Sequence, residues 1–316
     1  MRILVVMDPP ELVNPDGDTT LVVMMEALRR GHEVALCEPR HLDLDGAHTY
    51  AMVRKVESAA RARPPFVLAP SQREALGAFQ VVLMRKDPPF DVDYFTSTLL
   101  LDRAKATTLV INDPASLRTW NEKLAIFEFP GLIAETYVTR SVSRMRELLD
   151  QLGGEMIVKP LDGAGGAGVF FVKKEDRNAQ VIFEAVSQAE RKWVMAQRYL
   201  PAAREGDKRI LLLDGEPIGS VLRVPRADDN RGNLHVGGSA VRAPLSPREK
   251  QICDEVGAWC KERGLYWVGL DVIGGHLTEV NITSPTGVQE INRLEGHTGR
   301  ATLESRFVDW IERRVT

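Results

Sequence analysis

Met156-Ile157-Val158-Lys159-Pro160-Leu161-Asp162-Gly163-Ala164-Gly165-Gly166-Ala167-Gly168-Val169-Phe170-Phe171-Val172 is the stretch whose reading decides the fold. Four of the six residues from 163 to 168 are glycine. Such a backbone has little steric restriction and can aim several N–H groups at one anion. Lys159, at the end of the preceding strand, adds a point charge suited to phosphates. The stretch does not end in Gly-Lys-Ser/Thr, so it is not a Walker loop. An apolar strand rather than a helix follows the glycines, so it is not a dinucleotide fingerprint. A glycine loop holding Gly163, Gly165 and Gly166 between strands at 156–159 and 168–173 reads as a flap over nucleotide phosphates. A flexible hairpin without a ligand is the competing reading.

Outward from that loop, a second segment carries oxygen ligands. Residues 266–273 and 277–283 form a hairpin around Gly274-Gly275-His276. A three-residue loop pairs Ile273 with Leu277, sets Asp271 opposite Glu279 and leaves Asn281 on the same face. A two-residue loop would turn Asp271 to the other face. Two carboxylates and an amide without His or Cys suit a hard cation such as Mg²⁺. A third segment, the strand at 209–213, turns at Asp214-Gly215 into a strand with Arg223. Arg209 and Arg223 each have the fork that grips phosphate or carboxylate. Beside a metal site and a flap they read as catalytic groups for phosphoryl transfer.

The first 120 residues read as an open α/β domain. Apolar strands at 3–7, 33–37, 81–84 and 108–111 are joined by a helical pattern at 19–30. Asp8, Arg85, Lys86 and Asp87 fall at carboxyl ends of these strands, where such sheets bind ligands. Residues 120–127 and 141–152 read as helices, 135–139 and 193–197 as strands.

Several strings together resemble one family. Lys123 within Asn-Glu-Lys, Lys159-Pro-Leu-Asp-Gly, Asp207-Lys-Arg, Gly269-Leu-Asp and Thr278-Glu-Val-Asn-Ile-Thr-Ser-Pro-Thr occur in that order. With Met84-Arg-Lys-Asp-Pro-Pro-Phe-Asp and Met7-Asp-Pro, they are similar to the motifs of bacterial glutathione synthetases, from about residue 3 to 290. The resemblance implies an ATP-grasp fold, mixed α/β and α+β, behind an amino-terminal open parallel-sheet domain. It implies a division at 1–120, 121–200 and 201–316. By the same likeness Lys123, Lys159 and Lys208 serve ATP, with Gln197, Arg198, Tyr199 and Leu200 as the adenine hinge. Asp271, Glu279 and Asn281 hold Mg²⁺, with Mn²⁺ as the alternative. Ser284, Pro285 and Thr286, with Arg85, serve the substrates. Residues 230–238 look like a lid. The implied reaction joins γ-glutamylcysteine to glycine through an acylphosphate in a cytoplasmic homo-oligomer, dimer or tetramer. An ATP-grasp ligase for another pair of substrates shares every nucleotide motif and stays open. The chain departs from the pattern at Gln289, where relatives tend to carry Arg.

Composition restricts the alternatives. A net charge of −3 without a basic stripe argues against nucleic-acid binding. The opening apolar run stops at Asp8 and no later window spans a membrane. Three cysteines, two of them seven apart on a predicted helix, read as buried apolar residues rather than a disulfide framework. The six scattered histidines supply no Ser-His-Asp set. The first βαβ unit lacks the glycine fingerprint of a nicotinamide enzyme. A nucleotide sensor without turnover would not need the full Lys, Arg and acidic set.

Overall fold

The computed structural model describes residues 1–163, 165–225 and 239–315. The lid expected over 230–238 lies outside the described residues.

The first sheet contains β1 (Arg2–Val6), β2 (Glu33–Cys37), β3 (Leu42–Asp45), β4 (His48–Ala59), β5 (Phe66–Leu68), β6 (Gln72–Ala75), β7 (Val81–Met84) and β8 (Leu109–Ile111). Its main path runs β3-β4-β2-β1-β7-β8. The strands β2, β1, β7 and β8 are parallel, as expected, and their continuous apolar runs are buried on both faces. β4 joins β2 antiparallel and carries β3, β5 and β6. This extension makes the sheet mixed, a feature that no pattern in the sequence announces. Alternating exposed and buried positions in β4 mark its two unlike faces. Helices α1 (Thr19–Arg29), α2 (Val92–Asp102) and α3 (Pro114–Thr119) connect the strands. Asp18, Asp91 and Asp113 cap them through side-chain oxygens.

The second sheet, ordered β11-β10-β12-β9, comprises β9 (Thr136–Thr139), β10 (Glu155–Pro160), β11 (Phe170–Lys173) and β12 (Val194–Arg198). It packs on α4 (Val142–Gln151) and α5 (Ala179–Val186) around Leu148, Met156, Val158 and Phe183. The third sheet, ordered β15-β14-β13-β16-β17, comprises β13 (Asp207–Leu213), β14 (Glu216–Val224), β15 (Ser239–Arg242), β16 (Trp267–Ile273) and β17 (His276–Asn281). Helices α6 (Pro247–Glu262), α7 (Val288–Glu295) and α8 (Leu303–Val315) complete the chain.

The first and third sheets share their cores. One cluster joins Leu4 and Val82 to Ile210, Val268, Cys253 and Cys260. The two cysteines are fully buried on α6, and burial pushes both thiols up to about 12. Asn112 ties the two units with all its hydrogen-bonding capacity. Its amide donates to the carbonyls of Trp267 (2.8 Å) and Ile282 (2.7 Å), and its oxygen accepts from the N–H groups of Tyr266 and Trp267.

One helix expectation fails. Residues 120–127 are not an α-helix; only a 3₁₀ turn, Leu124–Glu128, forms there. The Asn121 side chain captures the N–H groups of Lys123 and Leu124, an alternative to helical bonding. The Glu122 carbonyl accepts from Val280 N–H at 2.9 Å, so this segment covers the outer edge of β17.

Two contacts yield stability predictions. Gly257 of α6 meets the β13–β14 turn so closely that a Cβ would stand 2.0 Å from the Gly215 carbonyl oxygen. Gly257→Ala is expected to cost about 1–3 kcal/mol by forced displacement, despite alanine's better helix propensity. Glu26 on α1 binds Arg29 and Arg30, and Arg30 continues to Asp309 and Ser305 of α8. The Arg29 hydrogen bond foremost, then Arg30, against the opposing effect of burial, holds the Glu26 carboxyl down at about 2 from an ordinary 4.5. A depressed carboxyl pKa stabilises the fold above its unfolded value and loses that contribution as pH falls. Glu26→Gln should therefore lower stability by about 1–2 kcal/mol at neutral pH. The deficit should shrink as pH falls from 4.5 towards 2, as read by denaturant titration.

Candidate active site

The β16–β17 hairpin corrects one expectation and preserves its consequence. The loop has two residues, with Ile273 pairing His276 and Val272 pairing Leu277. Gly274 and Gly275 have φ of 55° and 78°, as a tight primed turn requires. This is the loop that should have turned Asp271 away. A bulge follows: the register slips between Asp271 and Val272, with Thr278 as the extra residue. Asp271 then pairs with Glu279 and Gly269 with Asn281. The Thr278 hydroxyl donates to the Asp271 carbonyl at 3.1 Å and holds the bulge.

Arg209 lies across from Asp271 in the β13–β16 register, and Asp207 across from Arg223 in β13–β14. Arg209 grips Asp271 with Nε at 2.6 Å from Oδ1 and Nη2 at 3.1 Å from Oδ2. Arg223 Nη2 reaches Asp271 Oδ1 at 2.8 Å and Asp207 Oδ2 at 2.5 Å. Burial would raise the Asp271 carboxyl, but the two guanidiniums overcome it and hold it below the usual carboxylate range. Asp207 is raised to about 6, chiefly by burial, with Arg223 opposing and Asp271 adding to the rise. Asp207 Oδ1 and Arg223 Nε are buried without hydrogen-bond partners, so the network still has capacity to bind.

Two lysines approach the same face. Lys123 Nζ bonds Glu279 Oε1 at 2.8 Å and the Gly163 carbonyl at 2.5 Å. Lys159, from β10, donates to the Thr278 carbonyl at 3.3 Å, and burial lowers its pKa. Asn281 donates from Nδ2 to Gly269 O and Asp271 Oδ2, which leaves its Oδ1 free to accept. The described residues hold no group of three His, Cys, Asp or Glu arranged for a metal. The oxygen-only set of Asp271, Glu279 and Asn281 nevertheless fits a hard cation completed by phosphate oxygens.

These groups line a cleft of about 560 Å³ between the second and third sheets. Gly163, Gly165 and Gly166 line it, as do Gln197, Arg198, Tyr199 and Leu200. Gln197 and Arg198 still belong to β12, and their side chains are tied to Thr136 and Glu135. Ile157, Leu200 and Ile273 also line the cleft. Tyr199 packs against Phe171 at a tilt of 32°, with ring centroids 4.2 Å apart, and supports an apolar end suited to a flat base. Ser284, Pro285 and Thr286 stand with Asp87 among the cleft residues.

Two expected site residues lie elsewhere. Lys208 alternates with Arg209 along β13 and so faces α6, where it binds Glu249 at 2.7 Å and the Pro244 carbonyl at 3.0 Å. Arg85 lies beneath the cleft lining, donating to Thr20 Oγ1 and the Pro285 carbonyl, both at 3.0 Å. It bears on the substrate end only by supporting that carbonyl. Gln289 also misses the cleft: it is buried and donates to the Pro15 and Asp18 carbonyls. Asp207, Glu122 and Thr278, to which no sequence pattern assigns a role, also line the cleft. Asp207 was within reach, since strand alternation puts it on the face of Arg209; Glu122 and Thr278 depend on the 3₁₀ docking and the bulge.

With this geometry in place, residues 1–118 match the sequence model of the prokaryotic glutathione synthetase N-terminal domain, and residues 122–296 match that of the prokaryotic glutathione synthetase ATP-grasp domain. The chain belongs to the prokaryotic glutathione synthetase family. It is 42% identical over 314 residues to a glutathione synthetase of Brucella melitensis biotype 1, covering 99% of each chain. It is also 42% identical over 322 residues to that of Gloeobacter violaceus, covering 98% of this chain and 96% of the relative. Among solved structures, a D-cycloserine synthetase superposes with TM-score 0.71 at 15% identity, covering 100% of both chains. A RimK-domain ATP-grasp protein from Sphaerobacter thermophilus gives 0.60 at 18%, covering 99% of this chain and 100% of the other. At such identities these two bear on the fold alone, which is the ATP-grasp fold of the family.

The two faces of β13 yield a paired prediction. Lys208→Met should lower the unfolding midpoint by the equivalent of about 1–3 kcal/mol, because Glu249 loses its buried partner. Its turnover per folded molecule should stay close to the parent's. Arg209→Met should cut turnover by at least about 100-fold. Equal losses of turnover in the two variants would reject this division of faces.

Proposed function

We propose that the chain ligates γ-glutamylcysteine to glycine at the expense of ATP, with Mg²⁺ or Mn²⁺, giving glutathione, ADP and phosphate. The observation that carries this reading is the family match over residues 1–118 and 122–296, with a cleft lined by Lys123, Lys159, Arg209 and Arg223 beside Asp271, Glu279 and Asn281. We take the chain to divide at 1–120, 121–200 and 201–316, a reading supported by one sheet falling within each span. The same reading takes the chain as a cytoplasmic homo-oligomer; among the described residues no helix is long and apolar enough to cross a membrane.

Lys123 and Lys159 neutralise nucleotide phosphates, and the backbone at Gly163, Gly165 and Gly166 offers N–H groups to them. Ile157, Leu200 and Ile273 receive the base. Asp271, Glu279 and Asn281 would hold the metal, which when bound would supply charge neutralisation on the phosphate oxygens. The cysteinyl carboxylate attacks the γ-phosphorus and ADP departs, leaving an acylphosphate. Arg209 and Arg223 bear on the charge that develops there, preorganised by Asp271 and Asp207 rather than recruited from solvent. Glycine's amine attacks the acyl carbon, loses a proton and expels phosphate. The work of these residues is positioning and charge compensation, so no side-chain nucleophile is required.

The reading is tested by phosphate release with ATP, Mg²⁺, γ-glutamylcysteine and glycine, omitting each in turn. Release that needs all four, with a tripeptide of the correct mass, is expected. Release without either amino substrate would redirect the reading to another ligase pair, and bound ATP without any release would favour a sensor.

A further inference from the structure

One wall of the cleft has no part in the nucleotide chemistry above. Asp87, Glu122, Thr283 and Ser284 line it. Glu122 Oε1 accepts from the N–H groups of Ile282 (2.8 Å) and Thr283 (2.9 Å) and from the Thr283 hydroxyl (2.8 Å). Both N–H groups follow the last ladder pair of β17, so the carboxylate supplies an acceptor that the sheet does not. Three donors on one oxygen fix the group in place, and Oε2 has no hydrogen-bond partner among the described residues. Neither Glu122 nor Asp87 forms an ion pair with a Lys or Arg among those residues. Asp87 accepts from the Ser284 hydroxyl, and its own N–H donates to Asp8. The neighbouring cation, Lys86, is occupied by Asp8 at 2.9 Å and by the Asp87 carbonyl at 2.5 Å.

A second observation comes from a core residue behind this wall, close enough to feel the charges of Glu122 and Asp87. Tyr94 is 2% exposed and its hydroxyl is buried without a hydrogen-bond partner. Burial suppresses its ionisation, and the negative charges of Glu122, Asp87 and Asp8 act in the same direction, with Arg85 opposing. A buried O–H with no acceptor carries a desolvation penalty that the fold alone does not explain. Burial foremost, then the neighbouring Glu279, raises the Glu122 carboxyl above its ordinary value, so a cation brought against this wall would stabilise the charged form, and the region has hydrogen-bonding capacity left over.

Resting on the reaction proposed above, we infer that Glu122 and Asp87 are specificity-determining residues that receive the α-ammonium group of the γ-glutamyl donor. Of the two amino groups that enter the reaction, only this one stays charged throughout, because the acceptor amine must be neutral to attack. Two carboxylates without a basic partner complement such a cation. They also penalise a donor that lacks it, since they would be desolvated with nothing in return.

The test compares kcat/KM for γ-glutamylcysteine and for glutarylcysteine, the same molecule with hydrogen in place of the amino group, at saturating Mg-ATP and glycine. The parent protein is expected to favour γ-glutamylcysteine by at least roughly ten-fold. Glu122→Gln and Asp87→Asn should each lose most of that preference through a higher KM for γ-glutamylcysteine, with glutarylcysteine nearly unchanged. Asp87 is exposed, so its variant keeps the test decisive should Glu122→Gln fail to fold. Equal losses on both substrates, or a preference that survives in the folded variants, would overturn the assignment. A parent that turns over γ-glutamylcysteine without preferring it would do the same. A parent that makes no tripeptide would instead overturn the proposed reaction, and with it the identity of the ammonium donor.

Discussion

Everything in the cleft depends on keeping Asp271 ionised in a place that excludes water. The carboxylate is 5% exposed, and burial alone would drive it towards the neutral acid. Arg209 and Arg223 prevent this from the two strands that follow it across the sheet, β13 and β14. Neither arginine could be buried there without the carboxylates, and Asp271 could not remain charged without the arginines. The result is a rigid ionic surface whose pieces are fixed by strand register rather than by flexible loops. A ligand that brings phosphates and a divalent ion meets charges already desolvated and oriented.

That surface is held against the first sheet by polar ties as well as apolar packing. Asn112 binds the start of β16 and the exit of β17. Glu122 binds the same exit through Ile282 and Thr283 while its carbonyl covers the β17 edge. Each tie ends on backbone groups that lie beyond a ladder and would otherwise lack partners, so the polar ties relieve a cost as they fix position. The second sheet has its own core and meets the third across the cleft, where Lys159 reaches over to the Thr278 carbonyl and Lys123, from the segment along β17, joins Glu279 to the Gly163 carbonyl.

Local signals made much of this legible. Continuous apolar runs marked the parallel strands, glycines in an unhelical context marked the loop between β10 and β11, and acidic and amide residues at alternating positions marked the shared face of Asp271, Glu279 and Asn281. What escaped the sequence was set by single residues acting at a distance. The hairpin loop was misjudged by one residue, and the misjudgement was cancelled by a bulge at Thr278 that no local pattern announces. Lys208 sits in a motif string beside Arg209, and proximity in sequence concealed that adjacent strand residues face opposite ways. Arg85 stands at the correct strand end, yet the crevice floor lies over it. The antiparallel extension at β3 to β6 lacks a strong apolar run, so its pairing depends on tertiary context.

The back-to-back setting of Lys208 and Arg209 has a consequence for how such a protein changes over evolutionary time. One strand presents an ionic face to the cleft and an unrelated ion pair to α6, with the width of a β-sheet between them. Drift on the helix side alters how firmly the chain folds, while drift on the cleft side alters what it does. A lineage can therefore adjust its tolerance of heat or salt at positions like Lys208 and Glu249 without reopening the question of what the neighbouring residue recognises.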